Sequence, residues 1–471
     1  MKRLSALGLA LLAACADPGG ITHHSAMVDP ASLETQESFS GEATAAGWPA
    51  LDWWKRFGDP QLDALEEEGL GGSPSILLAR ARVDQALAAA QVAGAARKPR
   101  LDATGDVTRQ RFSENAIVPP PIGGSTFTTT EVALNAGYEL DLWGKNRAAY
   151  EAALGRSQAA QADAFTARLV LSAALAGAYV QLARAYEQLD LAQRNLADRE
   201  QLQALTNDRV RAGLDSRLEL KQVETSIPAA RARVVQVEEE IALTRNQIAA
   251  LLGKGPDRGL ALARPALQMI DVALPSRVPA DLLGRRPDVV ASRLRVEAAS
   301  RDVAAQKAEF YPDVNLSALV GLQSVTLSKL LDPASAVPSF GAALRLPIFD
   351  GGRLRGGLAQ RNAEYDAAVE QYNQTLADAL REVVDQLTSL RSVNAQRTQV
   401  ESALAAAEEA YSLAVTRYKA GLGSLLQVLT AEMAVLEQRN LHADLQSRAL
   451  ALSVNLVRAL GGGYEAKVAM Q

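Results

Sequence analysis

Few side chains in this 471-residue sequence could carry out acid–base, nucleophilic or metal chemistry. Of its three histidines, His23 and His24 are adjacent and His442 stands alone in a helical pattern, and its one cysteine is Cys15. Catalysis needs a converging set of acid, base, nucleophile or metal ligands, and no spacing among these residues supplies one. The pair His23-His24 could bind a metal weakly, although two solvated histidines are the better interpretation. We therefore predict that the protein is not an enzyme and has no cofactor or metal site.

Cys15 ends a segment that is typical of an exported lipoprotein. Lys2 and Arg3 precede an apolar run at 4–14, which is too short to span a bilayer because that takes about 20 residues. The closing sequence Leu-Ala-Ala-Cys resembles a bacterial lipobox, which implies a signal peptide at 1–14 and a covalent lipid on Cys15. The next residue is Ala16 rather than the aspartate that retains lipoproteins in the inner membrane, so the resemblance implies the outer membrane. The alternative is an ordinary signal peptide that happens to contain a cysteine.

The composition of the whole chain argues against two further classes of protein, nucleic-acid-binding proteins and disulfide-stabilised proteins. The net charge is -5, from 49 basic and 54 acidic residues, so we expect no nucleic acid partner. A single cysteine cannot form an internal disulfide framework.

Residues 15–58 are rich in small and turn-forming residues and lack periodicity, so we predict a lipidated tether there. No later segment is predicted to be a transmembrane helix.

The rest of the chain contains an internal duplication. Residues 80–99 align with 293–312 at an offset of 213, and 209–224 align with 417–432 at an offset of 208. Ordered matches of this kind indicate duplication. We predict a first structural repeat at 59–260, an equatorial linker at 261–286, a second repeat at 287–463 and a tail at 464–471.

Each repeat is predicted to contain a short helix, two strands, a very long helix, a tight turn and a shorter helix. The strands alternate apolar and polar residues and are placed at about 100–112, 128–142, 313–324 and 339–348. The helices are placed at 74–98, 145–208, 216–252, 288–311, 354–419 and 424–460. The glycine-rich stretch 351–357 lacks the residue order of a phosphate-binding loop, so we interpret it as a bend from strand to helix.

The strand and helix lengths together point to a membrane duct. Strands of about ten residues cross a bilayer at a tilt, but four of them cannot close a barrel. Two copies would give eight strands with a filled interior, whereas three copies give twelve and leave a lumen. The long helices, of 64 and 66 residues, would extend about 100 Å, and their apolar residues follow the coiled-coil period. The alternative is a soluble four-stranded sheet that packs on its own helices.

Besides the lipobox and the two AGL turns, four motifs carry a resemblance to a known family. They are LDWWKRFGDPQLDAL (51–65), YELDLWGKNRA (138–148), LPSRVPADLLGRRPDV (274–289) and LRLPIFDGGRLRG (344–356). The sequence resembles the TolC-like outer-membrane efflux factors, in their NodT/OprM-like lipoprotein branch. The fold that this implies is mainly α with a membrane β-barrel: a homotrimer with a 12-stranded barrel in outer-membrane lipid, on a 12-helix periplasmic tunnel. The implied partners are a periplasmic adaptor (membrane fusion protein) and an inner-membrane RND or MFS transporter.

The two tight turns are the predicted docking site for the adaptor. Their residues are Gly213, Leu214, Asp215 and Ser216 in the first repeat, and Gly421, Leu422, Gly423 and Ser424 in the second. Each turn ends a long helix with a glycine and starts the next at a serine cap. Two turns in each of three chains would present six sites in a ring. The alternative is that the glycines only reverse the chain.

Four residues are candidates for a gate. In some members of the family, aspartates just after the second turn close the tunnel, but here Gln427 and Thr430 stand at those positions. Asp215 and Glu219 at the first turn could substitute for them. Helix-dipole arguments favour a second interpretation, in which these two are solvated carboxylates at a helix start.

The predicted function is the outer-membrane channel of a tripartite efflux system for drugs, detergents or aromatic compounds. One alternative is a duct for type I protein secretion, in which the pump would be an ABC transporter. The other is a periplasmic coiled-coil structural lipoprotein, which would explain the long helices but not four amphipathic strands.

Overall fold

The structure is a computed structural model that describes residues 19–34, 37, 48–115, 117–269 and 284–466. The predicted signal peptide and Cys15 lie outside the described residues, as do parts of the predicted tether, equatorial linker and tail.

Helices and strands follow the predicted order, with two additional helices, one at the start and a short one at the end of the first half. The first half contains α1 (Pro60–Gly72), α2 (Pro74–Ala95), β1 (Arg100–Arg111), β2 (Thr126–Leu140), α3 (Lys145–Arg211), α4 (Arg217–Leu251) and the short α5 (Asp257–Leu260). The second half contains α6 (Pro287–Ala308), β3 (Asp313–Ser324), β4 (Ala336–Arg345), α7 (Arg353–Lys419) and α8 (Leu425–Ala459). The predicted fold class, long helices with four strands in a duplicated chain, is confirmed.

The two long helices begin in the same way. The Asp141 side chain accepts hydrogen bonds from the backbone N–H groups of Asn146 and Arg147 at the start of α3. Asp350 does the same for Gly352 and Leu354 at the start of α7. Each helix then runs for 67 residues, which is about 100 Å.

The glycine-rich stretch makes the bend with only its first two glycines. Gly351 and Gly352 have left-handed φ angles of 67° and 90°, which favour residues without a Cβ. Gly356 and Gly357 lie inside α7, so the interpretation of the whole stretch as a bend is wrong for its second half.

The predicted coiled-coil seam of α3 is buried. Leu175, Tyr179 and Leu182 are at most 1% exposed, and they pack with the aromatic cluster of Trp53, Trp54 and Phe57. One window of α3 is apolar and long enough to cross a membrane by composition. Because 56% of that window is buried in the protein, we interpret it as the core part of the helix.

The four strands form one antiparallel sheet in the order β1-β2-β3-β4. Its register places all four predicted apolar faces on one side. One row across that apolar face contains Leu101, Ala136, Ala318 and Phe340. The next row along the strands points to the opposite, polar face and contains Arg100, Gly137, Ser317 and Gly341.

Strand β4 begins and ends three residues earlier than predicted, so Leu346 and Ile348 are not part of the sheet. The last pair of β3 and β4 joins Asp313 to Arg345. Pro312 precedes Asp313 and has no N–H to donate, which ends the ladder there.

The apolar face of the sheet is not covered by the described helices. Phe340 is 78% exposed and Val320 is 66% exposed, so a soluble sheet that packs on its own helices is wrong. Strands β1 and β4 lie at the sheet edges, and each has one edge without a partner strand in the described chain.

The chain folds into two compact units, and each draws on both repeats. The strand unit comprises residues 19–27, Val83–Ala160 and Ser292–Tyr372, and contains the sheet. The helical unit comprises the rest and contains both tight turns. In the strand unit, the backbone N–H groups of His24 and Ser25 each donate to Asp366 of α7 at 2.9 Å. This part of the predicted tether is therefore packed on the protein.

Candidate functional site

The first tight turn is a helix stop that requires glycine. Gly213 has a φ of 74°, in the left-handed region. The Leu214 N–H donates to the Arg209 carbonyl at 2.8 Å, and the Gly213 N–H donates to the Val210 carbonyl at 3.1 Å. This pair of bonds is the Schellman arrangement, which satisfies carbonyls at the end of α3 that would otherwise lack partners.

The second turn has the same backbone geometry 208 residues later. Gly421 has a φ of 75°, the Leu422 N–H donates to Arg417 at 2.8 Å and the Gly421 N–H donates to Tyr418 at 3.1 Å. The duplication seen in the sequence is therefore a duplication of backbone structure.

The helix that follows each turn begins with a capping box. The Ser216 N–H donates to Glu219 at 2.9 Å, and the Ser216 hydroxyl accepts from the Leu218 N–H. In the second turn the Ser424 N–H donates to Gln427 at 3.4 Å. The side chains of Glu219 and Gln427 therefore cap the first turns of α4 and α8.

The turns expose apolar side chains. Leu214 and Leu422, predicted from the sequence, are 62% and 71% exposed. Leu218 and Leu426, which sequence reasoning missed, are 63% and 69% exposed. They share the same 208-residue offset, which is the signal that could have found them. Each turn therefore presents two leucines of matching position, and exposed apolar clusters of this kind mark interaction surfaces.

Beside the first turn lies a buried polar network that the sequence did not predict. Arg209 donates to Asp215 through Nε at 2.8 Å and Nη2 at 3.2 Å, and through Nη1 to the Tyr418 carbonyl at 2.6 Å. The Tyr418 hydroxyl donates to Asp215 and lies 3.2 Å from the Thr206 hydroxyl. These bonds tie the ends of α3 and α7 to the first turn.

The network controls the ionisation of Asp215. The side chains of Arg209 and Asp215 are only 9% and 10% exposed. The hydrogen bonds from Arg209 lower the pKa of Asp215, burial opposes this, and Tyr418 lowers it further. Burial raises the pKa of Tyr418, and the bond to Asp215 raises it further. The network is therefore held as a carboxylate, a guanidinium and a neutral phenol.

The two turns differ in this respect. Gly423 occupies the place of Asp215, and Arg417, the counterpart of Arg209, donates to the Leu422 carbonyl at 3.3 Å. The duplication preserves the backbone but gives only the first turn a buried ion pair.

The four gate candidates have the following placements. Asp215 is in the buried network, so its interpretation as a solvated carboxylate is wrong. Glu219 and Gln427 are in the capping boxes, and hydrogen bonds to Ser216 lower the pKa of Glu219. The Thr430 hydroxyl donates to the Leu426 carbonyl at 2.8 Å. The gating role itself stays a prediction.

Asp215→Asn is expected to loosen the first turn. The amide cannot compensate the buried guanidinium, so amide hydrogen exchange in the last turn of α3 and the first turn of α4 should accelerate about tenfold, or ~1.4 kcal/mol. In the native protein the ion pair is complete above the ordinary carboxyl pKa and is lost as pH falls through the lowered value. Protection of the native turn should therefore be constant from about pH 5 to 8.

Asp208→Asn is the matched control. Asp208 pairs with Arg211 at 2.9 Å on the same helix, but the two side chains are 70% and 78% exposed, so its loss should change exchange little. Equal acceleration in both variants would show that the buried pair has no special role.

Comparisons with known proteins agree with this architecture. The family model described as "Outer membrane efflux protein" matches residues 65–254 and 278–462. The fusaric acid resistance protein FusA of Burkholderia cepacia is 39% identical over 357 residues, covering 75% of this chain and 67% of that protein. The multidrug resistance outer membrane protein MdtP of Escherichia coli K12 is 33% identical over 430 residues, covering 90% and 88%.

Solved structures share the fold. The outer membrane protein VceC of Vibrio cholerae has a TM-score of 0.83 and 39% identity, covering 89% of this chain and all of that one. The MtrE outer membrane channel of Neisseria gonorrhoeae has a TM-score of 0.82 and 26% identity, covering 94% and 98%. With a family model matched over most of its length, the chain belongs to the outer membrane efflux protein family.

Proposed function

We propose that three copies of this chain form a passive export channel of the outer membrane. The observation that carries the proposal is the sheet, which has one apolar face, one polar face and two unpaired edges. Unpaired edges are not tolerated in lipid, so copies must join edge to edge. Three copies give twelve strands and an open lumen lined by the polar face. The 67-residue helices continue the duct into the periplasm.

The exported substrates are small molecules. The relatives' names refer to fusaric acid resistance, multidrug resistance and pyoverdine export, which favours this class over protein secretion. An inner-membrane RND or MFS pump supplies the energy, and a periplasmic adaptor connects it to the channel. A lipid on Cys15 adds an anchor, although the barrel holds the protein in the membrane more strongly than acyl chains do.

Two measurements test the channel. Purified protein should migrate as a trimer in detergent and conduct ions in a planar bilayer, and deletion of the gene should sensitise the host to drugs or aromatic acids. A monomer that does not conduct would support a structural lipoprotein instead. Loss of an exported protein without drug sensitivity would support type I secretion.

Leu214→Trp together with Leu422→Trp is expected to uncouple the channel from its adaptor. Both leucines are exposed and neither has a positive φ, so the bulkier side chains can be accommodated without strain in the turn. Trimers should assemble normally, while adaptor cross-linking at the turns and drug resistance should fall together by at least tenfold.

Ile117→Trp is the control for that variant. Ile117 is fully exposed in the loop between β1 and β2, and its replacement should leave both readouts unchanged. Undiminished cross-linking in the double variant, or cross-links that map to the equatorial linker, would contradict docking at the turns.

A further inference from the structure

Two arginines interrupt the apolar face of the sheet. Successive side chains of a strand point to opposite faces, and on the apolar face β1 runs from Leu101 through Val107 to Arg109 and Arg111. Across the four described strands, Arg109 and Arg111 are the only charged residues on this face. The face therefore carries two cations and no carboxylate, and neither the docking nor the gating argument uses them.

The two arginines lie at the end of the sheet that is furthest from the start of α3. Near α3 the apolar face begins at the pair Leu140 and Val314, and it stays free of charge for five rows, up to the row of Val132. Five rows span about 27 Å along the strands. At a strand tilt of about 40° this is about 20 Å across a membrane, close to the apolar band of about 25 Å in outer-membrane barrels. A mixed row with Val107 follows and Arg109 comes next, so under the proposed function the arginines lie among the lipid head groups on the exterior side.

Hydroxyl groups stand beside the two arginines on the same face. The register pairs Arg109 with Thr128 and Arg111 with Thr126, with Cβ atoms about 5 Å apart in such pairs. The two arginines are separated by two residues of one strand, or about 7 Å. At this spacing both guanidiniums can donate to one phosphate group, which is the acceptor that arginine binds best.

The guanidiniums are available for a ligand. Arg109 is exposed and makes no hydrogen bond or ion pair with any described residue. Arg111 is oriented by the bond from its Nε to the Gly124 carbonyl at 3.2 Å, and its Nη2 donates to Glu114 at 3.1 Å. The Arg111 and Glu114 side chains are 67% and 64% exposed, so this ion pair contributes little and can be exchanged for another anion.

The other charges at this end of the sheet do not cancel the arginines. Asp106 and Glu131 are paired across β1 and β2 on the polar face, which under the proposed function lines the lumen. The loop between β3 and β4 contains one cation and one carboxylate, Lys329 and Asp332, so its net charge is zero. The lipid side of this end is therefore positively charged.

We propose that Arg109 and Arg111, with the hydroxyls of Thr126 and Thr128, bind the phosphate head group of a lipid in the exterior leaflet of the outer membrane. The phosphate accepts charge-assisted hydrogen bonds from both guanidiniums, and the acyl chains lie along the uncharged rows of the same face. Basic residues at the membrane surface recognise anionic head groups in this way. The inference rests on the proposed channel function, and it adds a lipid ligand that fixes the level of the barrel in the membrane.

Lipid A, a phosphorylated glycolipid, is the probe, and the same lipid with its phosphates removed is the reference. The assembled protein is placed in phosphatidylcholine nanodiscs that contain one of the two, and native mass spectrometry counts the lipid molecules that stay bound to each trimer. The native protein should retain lipid A about tenfold better than the reference, and Arg109→Gln together with Arg111→Gln should abolish this preference. Because both side chains are exposed, this variant should still form trimers that conduct in pure phosphatidylcholine.

Arg100→Gln together with Arg345→Gln is the matched control. It removes the same charge from the same sheet, but from the polar face, and should leave the preference for lipid A intact. Conducting trimers that retain both lipids equally, or that lose the preference equally in the two double variants, would overturn the lipid site alone.

A second arm separates a lipid from a free anion. Lipid A should raise the temperature at which native trimers dissociate, whereas inorganic phosphate at the same concentration should not, because it has no acyl chains to lie on the apolar rows. Equal stabilisation by inorganic phosphate would show that the arginines bind a soluble anion, contrary to the proposal. Protein that forms no conducting trimer in any of these bilayers would instead contradict the proposed function.

Discussion

Ala318→Arg is expected to prevent assembly of the trimer, whereas Ser317→Arg at the adjacent position is expected to leave it intact. Ala318 lies between Ala136 and Phe340 on the apolar face. A lipid-facing arginine near mid-bilayer costs about 2–4 kcal/mol in each chain. Since three chains contribute to one barrel, the penalty is incurred three times. Detergent-resistant trimers, measured by gel mobility without heating, should be lost.

Ser317 lies between Gly137 and Gly341 on the polar face, where there is room for a long side chain in the lumen. Ser317→Arg should therefore assemble normally and reduce single-channel conductance. Equal assembly defects in the two variants would refute the assignment of the lipid-facing side.

Glu66→Gln is expected to stabilise the helical unit at neutral pH. Glu66 lies in α1, is 0% exposed, and neither carboxylate oxygen has a hydrogen-bond partner in the described chain. Burial raises its pKa to about 8, against smaller opposing effects of Ser172 and Arg168. The folded protein therefore keeps a proton on Glu66 at pH 7, which the unfolded chain releases.

The sign of the pH dependence follows from the raised pKa. Below the unfolded value of 4.5 both states are protonated, and stability is greatest. As pH rises towards about 8, only the unfolded state loses its proton, so the free energy of unfolding falls. At pH 7 the free energy of unfolding is therefore roughly 3 kcal/mol lower than it is below the unfolded pKa. Glutamine does not ionise, so the variant does not lose this stability.

Thermal unfolding of both proteins at pH 5, 7 and 9 tests the prediction. The difference in Tm should be small at pH 5, larger at pH 7 and largest at pH 9. Glu68→Gln, in the same helix, is the control, because Glu68 is partly exposed and pairs with Arg258 at 2.8 Å. Loss of this ion pair should lower the Tm only slightly. A stabilisation by Glu66→Gln that did not vary with pH would show that Glu66 is already ionised in the folded protein.

The tight turns show how much of the site the sequence predicted. Gly213, Gly421 and the two serines were identified from a helix-stop and cap pattern that spans a few residues. The Arg209–Asp215–Tyr418 network was not, because Tyr418 is 203 residues from Asp215. Its counterpart at the 208 offset is Val210, so the duplicated pattern contains no sign of it.

The sequence by itself determined the elements, because helix and strand periods, glycine stops and serine caps act over short stretches of chain. It also determined that one face of each strand is apolar. Tertiary structure decided which strands are neighbours and in what register, since β2 and β3 pair across nearly 200 residues. That register aligned four apolar faces into one surface and ended β4 at Arg345, opposite the first residue after Pro312. It also left Arg109 and Arg111 as the only charged side chains on that surface, because contacts between distant segments depend on how whole elements pack.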